Sequence, residues 1–333
     1  MSEQTTIYEF EVPEGQQEEI RLDVYITSFV ENATRNKVQQ AIKDGYVEVN
    51  GKKEKASYKM QPGDKIFIEL PKPPPPEAKP EEIELDIVYE DEDIIIVNKE
   101  AGMVVHPAYG NWTGTLVNGL MHHVEELAGA DDDENIRTGI VHRLDKDTSG
   151  LLVVAKNEET LSALSKRFAE KDIERRYRAV IWGTPKEEEG TFEGNIGRSK
   201  RDRKLMSVLP EPMGKPAITH YKVLEYFDYL SLVEIKLETG RTHQIRVHFA
   251  HHGYPVFGDL TYGGASVRYG SNTGSRKTMF FNLFKSLNRQ CLHAKTLGFE
   301  HPRTGEMVQF DSDLPDDFRH VLETLRKNCN KEY

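Results

Sequence analysis

Three short stretches of this 333-residue chain crowd together residue types that do chemistry. The densest, GIVHRLDKDTSG over 139–150, runs straight into the apolar segment Leu151–Ala155. Small and polar residues packed this tightly before a buried strand suggest a loop whose backbone approaches a ligand, although Asp and Ser at a turn also simply satisfy local amides. The second stretch, ETGRTHQIRVH over 238–248, continues to GYPVFGD at 253–259. Thr242 is placed to cap a helix there, and Ile245 and Phe249, four apart, can face a core. Arg246 then lies near the start of a half-buried helix and needs an anion, structural or catalytic. The third stretch is RRYRAVIWG over 175–183. Strand alternation puts Tyr177, Ala179 and Ile181 on one face and Arg176, Arg178 and Val180 on the other. Tyr177 should therefore point inward, where an isolated Tyr is usually just core.

Several chemistries fail on spacing. Asp145, Asp147 and Thr148 resemble an aspartyl-nucleophile loop, but that pattern is D-x-D-x-[TV] after a buried strand. Here Thr follows the second Asp directly, and the preceding segment carries Arg137, His142 and Arg143. Ser149 lacks the G-x-S-x-G elbow of a hydrolase nucleophile. Neither G-x-x-x-x-G-K-[ST] nor G-x-G-x-x-G occurs, so no nucleotide cofactor is indicated. Histidines 122, 123, 243, 248, 251 and 252 invite a metal, but no H-E-x-x-H spacing is present and no Cys lies near. Two cysteines, Cys291 and Cys329, make neither a disulfide framework nor a Cys-rich metal site.

These stretches need elements to hold them. Strands are expected at 94–98, 151–156, 176–182, 217–226 and 230–238, the last two joined as a hairpin through Asp228 and Tyr229. Helices are expected at 115–127, 159–171, 243–252 and 316–327. Several strands lack an intervening helix, so the fold class is α+β with a mainly antiparallel mixed sheet. Residues 265–290 show no clear period and read as an insertion loop. Six prolines between Pro71 and Pro80 mark a linker. Polyproline II geometry there would span roughly 30 Å. Ahead of it, 19–70 reads α-α-β-β. Leu22, Tyr25, Ile26 and Phe29 form one helix face, Thr34 caps a second helix with Val38, Ala41 and Ile42 inward, and Gly45 ends it. Asn50-Gly51 makes a hairpin turn, and Ile66, Ile68 and Leu70 line a last strand. Residues 1–18 read as a mobile acidic tail.

The net charge is −11, unevenly placed. Residues 1–20, 77–93 and 125–134 carry −6, −8 and −6, which leaves +9 on the other 286. Basic clusters lie at 197–215 and 265–290, so an anionic partner is allowed. The longest apolar runs fall far short of the roughly 18 residues of a membrane span, and residues 1–20 lack a basic secretory n-region. A cytosolic location is expected.

Resemblances sharpen this reading. RLDVYI, TRNKVQQAI, GYVEVNG and GDKIFIEL, in that order, closely resemble the S4 RNA-binding domain. HRLDKDTSGLLVVAKN, RRYRAVIWG and TGRTHQIRVHFAHHGYPVFGD, following it, resemble the RluA-type pseudouridine synthases. PMGKPAITHY over 212–221 is similar to the branch acting on large-subunit ribosomal RNA, the D type. The domains implied are an acidic tail (1–18), an S4 domain (19–70), a linker (71–82) and a catalytic domain of the pseudouridine synthase type (83–330). The activity implied breaks the C1′–N1 bond of a uridine in RNA, most readily 23S ribosomal RNA, turns the uracil and rejoins it through C5. That isomerisation is redox-neutral, so no cofactor and no metal are expected. The resemblance makes Asp145 the catalytic carboxylate, Arg246 the charge that keeps it ionised, and Tyr177 the group that stacks on uracil and moves a proton. Arg143 would fill the space left by the flipped base. Arg241 and His243 are further candidate RNA contacts, with Arg35, Lys37 and Lys43 on the S4 domain. RNA is the expected partner, with no DNA or membrane partner and a monomeric chain. The rival readings are an RNA-binding module without catalysis and an Asp- or metal-dependent hydrolase.

Overall fold

The computed structural model describes residues 5–14, 20–30, 33–71, 78–108, 111–124, 127–128, 139–202, 205–270 and 272–329. It divides into two compact units, Met1–Pro76 and Glu77–Tyr333.

The small unit contains β1 (Thr5–Glu11), α1 (Leu22–Phe29), α2 (Arg35–Lys43), β2 (Val47–Val49), β3 (Lys52–Lys53) and β4 (Lys65–Pro71). Its sheet order is β1-β4-β2-β3. The expected local signals are in place. Thr34 caps α2 by accepting from the Lys37 amide, and Gly45, Asn50 and Gly51 take the positive φ their turns need. Two expectations are overturned. Residues 5–11 are not tail but an edge strand, paired antiparallel with β4. Tyr8, Phe10 and Val12 alternate onto the core, while Glu9 and Glu11 fall on the other face. Counting acids hides that period. Phe29 is not inward either: it is 57% exposed at the end of α1. Residues 1–4 and 15–18 of the expected tail, and 72–77 of the linker, lie outside the described residues. The linker's far end is anchored on the second unit. Asn118 Nδ2 donates to the Lys79 carbonyl, and the Glu81 amide donates to the Asn118 carbonyl.

The large unit runs β5 (Ile87–Glu90), β6 (Ile94–Lys99), α3 (Leu116–His123), β7 (Ser149–Ala155), α4 (Glu158–Glu170), β8 (Glu174–Trp182), β9 (Glu189–Arg198) and β10 (Met206–Leu209). It continues with β11 (Lys215–Tyr226), β12 (Leu230–Leu237), α5 (Gln244–His251), α6 (Gly274–Leu287), β13 (Leu292–Glu300), β14 (Met307–Asp311) and α7 (Asp316–Asn328). These strands make one sheet, β10-β9-β11-β12-β8-β13-β7-β6-β5, with β14 beside β13. All pairs are antiparallel except β13 with β7, which gives the expected α+β class.

Both faces of the central strands are covered, which is why β6 and β7 read as unbroken apolar runs. On one face Ile95, Val97, Leu152 and Val154 join Leu116 and Leu120 of α3 and Ile245 and Phe249 of α5. On the other, Ile94, Ile96, Leu151 and Val153 pack with Leu164 of α4, and Val180 and Trp182 pack with α6 and α7. The expected insertion loop at 265–290 is therefore corrected: 274–287 is helix α6, burying Phe280, Leu283 and Leu287. Its exposed Phe281 blurs the apolar stripe, and no side-chain cap marks its start.

Candidate active site

Asp145 sits in the loop that enters β7, and that loop is held from beneath. Thr148 N–H donates to the Asp145 carbonyl at 3.0 Å, closing a turn. Lys99, at the end of β6 and 1% exposed, donates Nζ to the carbonyls of Glu100, Met103 and Lys146 at 2.7, 2.9 and 3.1 Å. Burial pushes its ammonium down to about 7, while Asp147 and Asp145 pull the other way. Gln290 Nε2 donates to Thr148 Oγ1 at 3.1 Å, and Ser149 Oγ meets His293 Nδ1 at 2.9 Å. Gly150, with φ +117°, is where β7 meets β13; a Cβ there would lie 2.2 Å from the Ala294 carbonyl oxygen. Only glycine lets the parallel pair form at that point.

Helix α5 presents the counter-charge. Arg246, buried, donates Nε and Nη2 to Asp259 Oδ2 and Oδ1 at 2.7 and 3.0 Å, and Nη1 to Asp145 Oδ2 at 2.9 Å. The anion that Arg246 needs is thus both kinds at once: a fully buried carboxylate on the loop after α5 and the exposed-side carboxylate of Asp145. The two acids raise the Arg246 pKa against its burial. Asp259 closes the motif at 253–259, yet its type and spacing give no sign that it reaches back to Arg246.

Thr242 is not the cap expected of it. The residue ahead of α5 is His243, in the left-handed region with φ +56° and no side-chain cap bond. Gln244 Oε1 instead takes the Arg241 amide at 3.0 Å. The His243 backbone turns its ring toward the site: Nε2 lies 3.9 Å from Asp145 Oδ1, and Nδ1 is 2.8 Å from the Tyr262 hydroxyl. That hydroxyl also accepts the Met206 amide of β10 at 3.1 Å, which ties His243 to β10. Burial lowers its pKa, with Asp145 opposing, so the ring is neutral at pH 7.

Tyr177 on β8 is inward as expected, 6% exposed, and burial raises its pKa. Asp145, Tyr177, Arg246, Arg143, Arg241 and His243 all line one cavity of about 540 Å³. Arg143 is exposed at its mouth, and Arg241 donates Nε to the Pro216 carbonyl. His142 faces the other way from Arg143 in function: its Nε2 accepts the Val153 amide at 3.1 Å, its ring stacks on Phe168, and burial lowers it to about 3. It is a neutral fastener for the loop. Of the S4 candidates, Lys37 and Lys43 are exposed, whereas Arg35 is committed to the fully buried Asp23, which also holds Arg21 and Gln39. Among the described residues the histidines singled out in the sequence do not form a metal-ligand cluster; Asp91, Asp93 and His301 do come together, but His301 and Arg303 already pair with them.

The chain and its fold belong to a defined class. Residues 93–251 match the RNA pseudouridylate synthase family, and residues 20–66 match the S4 domain. An RNA pseudouridine synthase of uncharacterised role from Chlorobaculum parvum is 50% identical over 310 residues, covering 92% of this chain and 94% of its own. The ribosomal large subunit pseudouridine synthase D of Neisseria meningitidis is 44% identical over 308 residues, covering 92% and 79%. Among solved structures, human RNA pseudouridylate synthase domain containing 1 aligns with a TM-score of 0.51 at 27% identity, covering 75% and 97%. The chain belongs to the RNA pseudouridine synthases. It is an isomerase acting on RNA, with an S4 domain at its N-terminal side and relatives among the synthases of the D type.

Proposed function

We propose that this chain converts uridines of large-subunit ribosomal RNA to pseudouridine, with Asp145 as the catalytic carboxylate and the target base turned out of its stack into the cavity. The observation that carries the reading is the ion pair itself. A buried Arg246, fixed by Asp259, donates to one oxygen of Asp145 and leaves the other 3.9 Å from His243 Nε2, in a cavity that Tyr177 also lines. Such a carboxylate is paired and oriented before substrate arrives, which suits it to bond cleavage at a uridine. The cavity of about 540 Å³ is of the size that holds a small ligand, which suits a single base turned out of its stack. Exposed Arg143 at the mouth is placed to occupy the gap left behind. Tyr177, kept protonated by burial, is suited to lie against the uracil ring and exchange a proton.

The ribosomal assignment rests on the D-type relatives, whose names give the large ribosomal subunit as their target. It implies a compartment that holds ribosomes, in keeping with the cytosolic expectation; no helix among the described residues is long and apolar enough to cross a membrane. Mapping pseudouridines in ribosomal RNA from cells with and without the gene tests the substrate: sites should vanish from the large-subunit RNA and return with the wild-type gene. Asp145→Asn should abolish tritium release from labelled uridine while RNA affinity stays near wild type. Substantial turnover by that variant would remove Asp145 from the chemistry.

A further inference from the structure

Arg175 is the odd cation of β8. Its neighbours Arg176 and Arg178, on the opposite face, both pair with Glu234. Arg175 shares the Tyr177 face, is 8% exposed, and lines the cavity. Its Nε is sealed from solvent with no hydrogen-bond partner, and no ion pair or hydrogen bond among the described residues involves its guanidinium. The group stacks over the Phe168 ring at 5.3 Å, and a Cβ on Gly240 would stand 3.1 Å from Nη1. The side chain is thus closely packed and, among the described residues, has no counter-ion.

A buried charge of this kind is costly unless an anion completes it. Other bases line the same cavity. They are Arg241 and Lys171, the latter paired with Glu238, which also lines it and is shared with His220. Uracil offers only neutral carbonyls, whereas the strand that carries it offers a full negative charge at every linkage, and guanidinium takes two phosphate oxygens at once.

We propose that Arg175 is the anchor for one backbone phosphodiester of the RNA strand whose uridine enters the cavity. The inference rests on the reading of this cavity as the uridine site. It makes Arg175 a binding residue: a phosphate on the guanidinium fixes how far the nucleotide can slide past Asp145 and Tyr177, without taking part in bond exchange.

The test uses the full chain and RNA with a single uncharged methylphosphonate placed at each linkage flanking the target uridine. Arg175→Met keeps the bulk and removes the charge; Arg175→Lys keeps the charge. Wild-type affinity should fall roughly tenfold or more when one particular linkage is neutralised, the worth of a hydrogen bond to a charged group. Arg175→Met should lose as much with unmodified RNA and nothing further with that methylphosphonate. Its log-log salt slope should fall by about one phosphate contact, and Arg175→Lys should keep the slope. Its melting temperature should not fall, because an unpaired charge has been removed. A lowered melting temperature with unchanged affinity and slope would make Arg175 a structural residue and overturn the proposal. So would methylphosphonate penalties that add fully to that of Arg175→Met. Asp145→Asn, run in parallel, separates the two readings: its activity reports on the carboxylate alone, and the phosphate cycle reports on Arg175 alone.

Discussion

Two buried guanidiniums face one cavity in opposite circumstances. Arg246 is saturated, with two bonds to Asp259 and one to Asp145. Arg175 has an aromatic ring and the Gly240 turn close to it and, among the described residues, no acid partner. The first is a fixture, since charge satisfied inside the protein orients a neighbour and asks nothing of a ligand. The second, on the proposal above, is held open for a charge that no described residue supplies. The same residue type therefore does two jobs, and the set of partners tells them apart better than burial, which is nearly equal for the two.

The contrast predicts opposite stabilities. Asp259→Asn leaves Arg246 with only the more exposed of its acids and should cost about 3–5 kcal/mol, as breaking a buried pair does. Denaturant unfolding should show that loss, together with a large fall in single-turnover rate. A variant as stable as wild type would mean that Arg246 is held by Asp145 alone.

A smaller effect is expected one contact further out. Tyr262→Phe removes the hydroxyl that joins the Met206 amide to His243. It should lower the single-turnover rate roughly tenfold, the worth of about one buried hydrogen bond, and leave RNA affinity unchanged. An unaltered rate would show that the Tyr262–His243 contact is not felt at Asp145.

His142 extends the comparison to a group kept neutral by burial. It is lowered to about 3, so between pH 3 and 6.5 the unfolded chain binds a proton there that the folded chain does not. Stability contributed by this group is present above the unfolded value and is lost as pH falls through that window. His142→Gln should flatten the acid limb of an unfolding free-energy profile by about 1.4 kcal/mol per pH unit. His248 and His293, both lowered to about 4, keep the remaining slope in the same sense.

The smallest effect belongs to the S4 unit. Replacing Lys37 and Lys43 with Ala should reduce the salt slope of RNA binding by about two contacts and leave the rate on bound RNA unchanged. Arg35→Ala should instead weaken the unit's fold, because Arg35 is committed to Asp23. Equal slopes for the wild type and the Lys pair would remove that helix from the RNA surface.

Local pattern carries much of this molecule. The α2 cap and turn, the Asn-Gly hairpin, the inward Tyr177 and the buried β6 and β7 are legible because periodicity and turn chemistry act over a few residues. The edge strand at 5–11 and helix α6 stay hidden where charge or a doubly apolar face masks the period. The site divides in the same way. Motifs in the sequence single out Asp145, Tyr177 and Arg246, residues that lie on a loop, a strand and a helix. That Asp259 reaches back to Arg246, that Lys99 collects three carbonyls under the loop, and that Arg175 meets no acid among the described residues are matters of tertiary structure alone. A charge has the same identity anywhere in a sequence, but what it does depends on which groups lie within a few ångströms. Only the folded sheet decides that, bringing together residues 101 positions apart at the ion pair and 144 apart beneath it.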